Sequence, residues 1–219
     1  MNVHSIFESI SGEAGGFLQG SWVTFIRLQK CNLRCVWCDT KVTQDGTERM
    51  QMDVNSIVES CHTEKVLITG GEPLIHQDII KLIEVLQYHK KEVQVETNGS
   101  IQLPKILNVH WVVDYKCPSS GMSHHMLPIE TMRSTFVRAT GIYRGSVWLK
   151  FVVQNEEDLD EAISVMKEMP GTGAKCVISP TNARGSMIPD IVVQIKEKAP
   201  WILNHITFSV QLHKLIDLP

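Results

Sequence analysis

Short apolar runs closed by Gly, Pro, Asn or Asp recur along the chain and alternate with stretches whose apolar residues return every three or four positions. The runs Trp22 to Leu28, Lys65 to Thr69, Val93 to Glu96, Trp111 to Asp114, Ser146 to Val153 and Lys175 to Ile178 read as strands, being rich in branched and aromatic residues. Between them, Val54 to Cys61, Asp78 to His89 and Asp158 to Met169 carry helical periodicity. Asn155-Glu156-Glu157-Asp158 places a capping side chain and negative charge where the third of these helices starts, and Pro170-Gly171 stops it. Pro189 to Ala199 adds a further helix and Ile206 to Val210 a last short strand. Strand and helix alternate, which predicts an α/β fold built on a largely parallel sheet with covering helices. Ser119 to Met126 and Gly141 to Gly145 read as mobile loops. No repeat, low-complexity tract or long linker interrupts the pattern, so residues 1–219 are expected to form one compact domain.

Size and charge narrow the class. A chain of 219 residues buries about 70% of its unfolded surface, enough for a core without disulfide staples, and 43% hydrophobic content excludes collagen-like and disordered classes. The 21 Lys and Arg against 24 Asp and Glu leave no basic field to hold a polyanion, so nucleic acid is not expected as a direct partner. The N-terminus lacks a basic segment followed by an apolar run, and no stretch of about 18 apolar residues occurs, so neither a secretory signal nor a membrane span is expected. A cytoplasmic location follows as the expectation, and with it reduced thiols.

Of six cysteines, Cys61, Cys117 and Cys176 are scattered among apolar neighbours, whereas Cys31, Cys35 and Cys38 crowd into Cys31-Asn32-Leu33-Arg34-Cys35-Val36-Trp37-Cys38. Such short spacings curl the backbone around one centre, so each thiolate can meet a different iron of a four-iron four-sulfur (4Fe-4S) cluster. That cluster ordinarily takes four Cys ligands, and three leave one iron open for chemistry. The alternative is a zinc site completed by a histidine such as His62, in which case the chain would be an interaction module. Zinc fingers space their ligands in two pairs, and this is a single triplet.

The triplet, with an aromatic residue just before its third cysteine, resembles the radical S-adenosylmethionine superfamily. That resemblance implies a partial, TIM-like parallel β/α barrel of about six strands with the cluster on the loop after the first. It also implies S-adenosylmethionine on the open iron, cleaved by one electron to a 5'-deoxyadenosyl radical. Val66-Leu67-Ile68-Thr69-Gly70-Gly71-Glu72-Pro73 is similar to the superfamily's methionine-binding segment: Gly70 and Gly71 would admit a ligand to the backbone and Glu72 would accept from an ammonium group. A plain strand-to-helix turn would give the same glycines. Glu96, Asn98, Lys116 and Ser179 close later strands as further cofactor contacts, with Trp37, Cys38 and Asp39 along the cofactor. An Asn-Gly turn alone would also explain Asn98.

Further motifs narrow the resemblance. Ile6 to Gly15, Phe25 to Gln29, Cys38-Asp39-Thr40 and the terminal Gln211 to Pro219 are similar to the family of 7-carboxy-7-deazaguanine synthases. That family implies a carbon-nitrogen lyase of queuosine-type 7-deazapurine biosynthesis, which contracts 6-carboxy-5,6,7,8-tetrahydropterin with loss of ammonia and requires Mg2+. The resemblance places Ile10, Ser11, Gly12, Glu13, Arg27, Thr69, Gln211, His213 and Pro219 about the substrate, with Glu13 also in a catalytic role and Thr40 on Mg2+. Segments 1–20 and 205–219 would close the site. Ser11 and Ala14 depart from the usual Gln and Gly, and Asp114-Tyr115 stands where Ser-Pro often precedes the Lys. The residues alone leave other readings: Arg27 as a buried ion-pair partner, Thr40 as a turn or cap hydroxyl, Gln211 and His213 facing solvent along an extended segment, and Pro219 as a frayed end. A homodimer reduced by a flavodoxin or ferredoxin type donor is expected. The enzymatic alternative is an activating enzyme for glycyl-radical proteins, which shares the triplet but works on a protein through an open groove.

Overall fold

The computed structural model describes residues 1–12, 18–47, 49–181 and 185–216, without the side chains of His213 and Lys214. Two strands open the chain, β1 (Asn2–Ile10) and β2 (Trp22–Leu28), followed by the two-residue β3 (Met50–Gln51) and helix α1 (Val54–Glu59). There follow β4 (Lys65–Gly70), α2 (Ile79–Tyr88), β5 (Glu92–Thr97), β6 (Val109–Tyr115), α3 (Ile129–Val137), β7 (Ser146–Val153) and α4 (Glu156–Lys167). The chain ends with β8 (Lys175–Pro180), α5 (Ile188–Lys198), β9 (Ile206–Phe208) and the short α6 (Leu212–Leu215).

All described strands join one sheet in the order β3-β1-β2-β4-β5-β6-β7-β8-β9. From β2 to β9 every pair is parallel, while β1 runs antiparallel to both β2 and β3. The sheet does not close on itself, as an incomplete barrel requires. The antiparallel edge was not legible in the strand pattern. In β1, Asn-Val-His-Ser-Ile-Phe-Glu-Ser-Ile is mostly half-buried and carries too many polar residues to read as a core strand. Pairing with β2 stabilises it, Ile6 opposite Ile26 and Phe7 opposite Phe25.

Period-two alternation divides each parallel strand between two faces. Ile26, Val66, Ile68, Val95, Trp111, Val113, Leu149, Phe151 and Ile178 belong to one core shared with Ile57, Leu82, Ile83, Phe136, Leu159, Ile163, Ile191 and Ile195 of the helices. The opposite face carries Phe25, Arg27, Leu67, Thr69, Glu96, Val112, Asp114, Lys150, Val152 and Ser179, and it is this face that builds the site. Helix α4 starts as its sequence predicts, Asn155 accepting from the Asp158 N–H at 2.9 Å. Helix α3 was not predicted, because only Met132, Thr135 and Phe136 of its nine residues are buried and no capping side chain marks its start. The segments read as loops hold short helical turns, Pro118–Ser120, Ser123–His125 and a π-helical turn at Arg138–Ile142. Gln211 precedes a short helix over Leu212–Leu215, in place of the extended segment expected there. Among the described residues no helix is long and apolar enough to cross a membrane.

Candidate active site

The carboxyl ends of the parallel strands surround a cavity of about 260 Å³, the end at which parallel α/β sheets hold ligands. Cys31, Cys35 and Cys38 line it together, on the loop that leaves β2. That loop is pinned at its start: Lys30, at φ 74°, donates to the Thr43 carbonyl at 2.7 Å and accepts from Glu72 N–H at 2.8 Å. Asn98 donates to Asn32 Oδ1 at 2.8 Å and lies 3.7 Å from the Cys31 sulfur, while its own oxygen accepts from Ser100. It therefore both shapes its turn and touches the cysteine loop. Among the described residues no three His, Cys, Asp or Glu side chains gather as a site for a single metal ion. Three thiols on one short loop that line a shared cavity can each bind a different metal of a polynuclear group.

Gly70 and Gly71 line the cavity and have a packing role as well. A Cβ on Gly71 would overlap the Lys30 carbonyl, and one on Gly70 would overlap the Leu28 backbone. These glycines therefore let the cysteine loop pack directly on the end of β4. Glu72 likewise turns inward. It is fully buried, does not line the cavity, and its carboxylate accepts from Leu74 N–H at 2.9 Å, Thr97 Oγ1 at 2.7 Å and Asn98 N–H at 2.7 Å. Burial raises its pKa against the pull of those donors. In this geometry Glu72 ties β4 to β5 and does not present itself to an ammonium group.

On the cavity floor Thr69 donates to Glu96 at 2.9 Å, so both predicted residues meet there. Lys116 forms an ion pair with Asp114 at 3.0 Å and lies 5.1 Å over the Trp37 ring. Burial works to lower the Lys116 pKa, but Asp114 and Cys35 outweigh it and hold the ammonium charged. Burial raises the Cys35 pKa, and Lys116 pulls it back. Lys150, opposite Asp114 in the sheet register, approaches the same carboxylate at 3.9 Å. Neither Asp114 nor Lys150 was singled out as a ligand residue from sequence. The available signal was a charge at an alternate position inside an apolar strand. Asp114 Oδ1 and Arg27 Nε are buried without a hydrogen-bond partner among the described residues, which a polar ligand in the cavity would supply.

Arg27 forms no ion pair within 4 Å among the described residues. Its guanidinium lies 5.0 Å over Phe7, whose ring stacks on Phe25 at 5.0 Å. Burial lowers its pKa, while Asp39 and Glu96 act from a distance to raise it. Thr40 precedes the 3₁₀ turn Lys41–Thr43 but makes no side-chain cap there; its hydroxyl donates to Asp39 at 3.0 Å beside the cavity. Gln211 is half-buried, lines the cavity and donates to Asp39 at 3.3 Å at its exposed rim. Ser11 and Gly12 line the cavity as well, and the Gly12 carbonyl accepts from Leu212 N–H at 2.7 Å, joining the two terminal segments. Ile10 pairs with Trp22 and is not part of the lining. Ser179 lines the cavity beside Pro180 and Thr181. Glu13, Pro219 and the His213 side chain lie outside the described residues.

Comparison with known proteins agrees with this layout. Residues 25–112 match the radical SAM superfamily. The 7-carboxy-7-deazaguanine synthase of Clostridium acetobutylicum is 31% identical, the match covering 97% of this chain and 94% of the relative. That of Methanospirillum hungatei is 34% identical, covering 100% of this chain and 86% of the relative. The fold matches the crystal structure of QueE from Escherichia coli with a TM-score of 0.69 at 22% identity, over 97% of this chain and 94% of the other. A Streptococcus suis SuiB structure bound to S-adenosylmethionine aligns with a TM-score of 0.58 at 12% identity, over 83% of this chain and 48% of that one. With cysteines, cavity and full-length similarity in agreement, the chain belongs to the 7-carboxy-7-deazaguanine synthase family of the radical SAM superfamily.

Proposed function

We propose that the chain converts 6-carboxy-5,6,7,8-tetrahydropterin to 7-carboxy-7-deazaguanine with release of ammonia, using a 4Fe-4S cluster, S-adenosylmethionine and Mg2+. The observation that carries this reading is that three thiols and the half-buried Arg27, whose Nε has no hydrogen-bond partner among the described residues, open on one cavity. A cation at that place fits a substrate carboxylate, because Arg presents a fork of donors to it.

Cys31, Cys35 and Cys38 hold the cluster in this reading. Bound together, cluster and S-adenosylmethionine supply a carbon-centred radical able to remove a substrate hydrogen. The chain's own residues orient and exclude water. Phe7 and Phe25 back the Arg27 guanidinium so that it faces the pterin carboxylate. Thr69, Ser11, Gly12 and Gln211 edge the pterin, with Glu13, His213 and Pro219 completing the enclosure as segments 1–20 and 205–219 fold over it. Glu96, Asn98, Lys116 and Ser179 contact the nucleoside cofactor beside Trp37 and Asp39, and Thr40 offers its oxygen to Mg2+, a hard ion that prefers oxygen ligands. Holding the reacting carbons in register is worth up to about 7 to 11 kcal/mol. The enzyme works in the cytoplasm as a homodimer reduced by a flavodoxin or ferredoxin type donor.

The test incubates reconstituted, reduced protein with S-adenosylmethionine, Mg2+ and the carboxylated tetrahydropterin, with mass spectrometry as readout. The deazaguanine acid and one ammonia per product are expected. Formation of 5'-deoxyadenosine only after a protein substrate is added would overturn the reading in favour of a glycyl-radical activating enzyme.

A further inference from the structure

A buried polar chain connects helix α4 to the cysteine loop from outside the cavity. Asp158 stands in the first turn of α4 and is fully buried. Its carboxylate accepts from Gln154 N–H at 2.8 Å, from Ser119 N–H at 2.8 Å and from the Ser119 hydroxyl at 2.6 Å. Ser119 in turn accepts from the Trp37 indole N–H at 3.1 Å. The polarity of this chain is forced. An indole only donates, so the Ser119 oxygen accepts from Trp37 and its single hydroxyl proton is directed to the Asp158 carboxylate, 2.6 Å away.

Its effect falls on one half of the cysteine loop. The first half is held by Thr43, Gln44 and Glu72 through the backbone of Lys30 and Cys31. The second half rests on the turn Pro118–Ser120: Val36 N–H donates to the Ser120 carbonyl at 3.0 Å, and Trp37 to Ser119. Asp158 grips that turn at both the amide and the hydroxyl of Ser119, which is why a segment with the composition of a mobile loop is fixed here. Trp37 also offers its ring to Lys116, so its position sets where that ammonium stands.

We infer that Asp158 and Ser119 are positioning residues that act through Trp37 to hold Cys35 and Cys38 in the geometry that receives the cluster. Neither side chain lines the cavity. The inference rests on the proposed cluster role of the loop, but its first test needs no cluster. Amide hydrogen exchange is measured over residues 35–38 of the metal-free chain. Ser119→Ala should exchange about tenfold faster there, the factor one lost hydrogen bond supplies, with the amides of β5 and β7 unchanged. Ser119→Thr keeps the hydroxyl and should restore protection. Trp37→Phe keeps a ring but loses the N–H, should match Ser119→Ala, and should add nothing when combined with it. After reconstitution, the Ala variant should yield more 5'-deoxyadenosine per product than the unsubstituted protein, and the Thr variant should not.

Unchanged exchange in Ser119→Ala, equal behaviour of the Ala and Thr variants, or multiplicative effects of Ser119→Ala and Trp37→Phe would each overturn the inference. Failure of the unsubstituted protein to load a cluster would count against the proposed function and leave the exchange result standing.

Discussion

Two sets of three cysteines occupy opposite environments in one chain. Cys31, Cys35 and Cys38 are half-buried on a loop at the carboxyl end of β2 and open on the cavity. Cys61, Cys117 and Cys176 are buried in the core beneath the helices. Burial pushes the Cys61 and Cys176 thiols up to about 11 and Cys117 higher still, and the Cys61 sulfur donates to the Ile57 carbonyl at 3.2 Å. Burial also raises Cys35, but the Lys116 ammonium opposes it. A thiol becomes a ligand by losing its proton, and only the cavity set lines a space that a ligand can enter. The same side chain is packing material in one place and chemistry in the other.

The largest expected effect removes the cavity set. Cys31→Ala, Cys35→Ala or Cys38→Ala should abolish turnover and the S-adenosylmethionine-dependent shift of the reduced cluster's electron paramagnetic resonance signal. Cys61→Ala should retain both. Turnover at the unsubstituted level in any of the first three would erase the distinction.

Next comes alkylation of the native, metal-free chain by iodoacetamide at pH 8. The three cavity thiols should react first, with Cys61 and Cys176 slower by about 100-fold, since at that pH an ordinary thiol is thiolate about one time in ten and a group titrating near 11 about one time in a thousand. Mass spectrometry of the peptides reads this out, and six equal rates would refute it. The buried set also predicts a pH dependence of stability. A thiol whose folded pKa is raised favours the folded state below its unfolded value near 9, and that contribution is lost as pH climbs toward 11. The melting temperature should therefore fall over pH 9 to 11, and less steeply in a Cys61→Ala, Cys176→Ala double variant. The smallest effect is isosteric. Cys176→Ser places a hydroxyl in the apolar core and should cost about 1 to 3 kcal/mol in denaturant unfolding, whereas Cys35→Ser, beside the cavity, should cost less.

Much of this was legible along the chain. The spacing of the cysteine triplet, the Asn155 cap and the apolar runs of β2, β4, β5, β6, β7 and β8 carry local information, and local rules read them. β1 and α3 escaped because each lacks a strong pattern of its own: β1 is held by pairing with β2 and β3, and α3 buries only three residues. Gly70 and Gly71 line the cavity, while the Glu72 carboxylate turns instead to Thr97 and the Leu74 and Asn98 amides. Nothing in a strand followed by Gly-Gly-Glu-Pro says whether its open space receives a ligand or the Lys30 carbonyl.

The sequence by itself determined the strands, most helices and a three-thiol loop, because helix and strand periodicity, capping and cysteine spacing act over a few residues. Only the tertiary structure decided that Arg27, Thr69, Glu96, Asp114 and Lys150 face one another, that Glu72 points away from them, and that Asp158 reaches Trp37 through Ser119. Alternation tells which residues share a strand face, but sheet order and register decide which strands stand together. Those are set by packing across the whole domain.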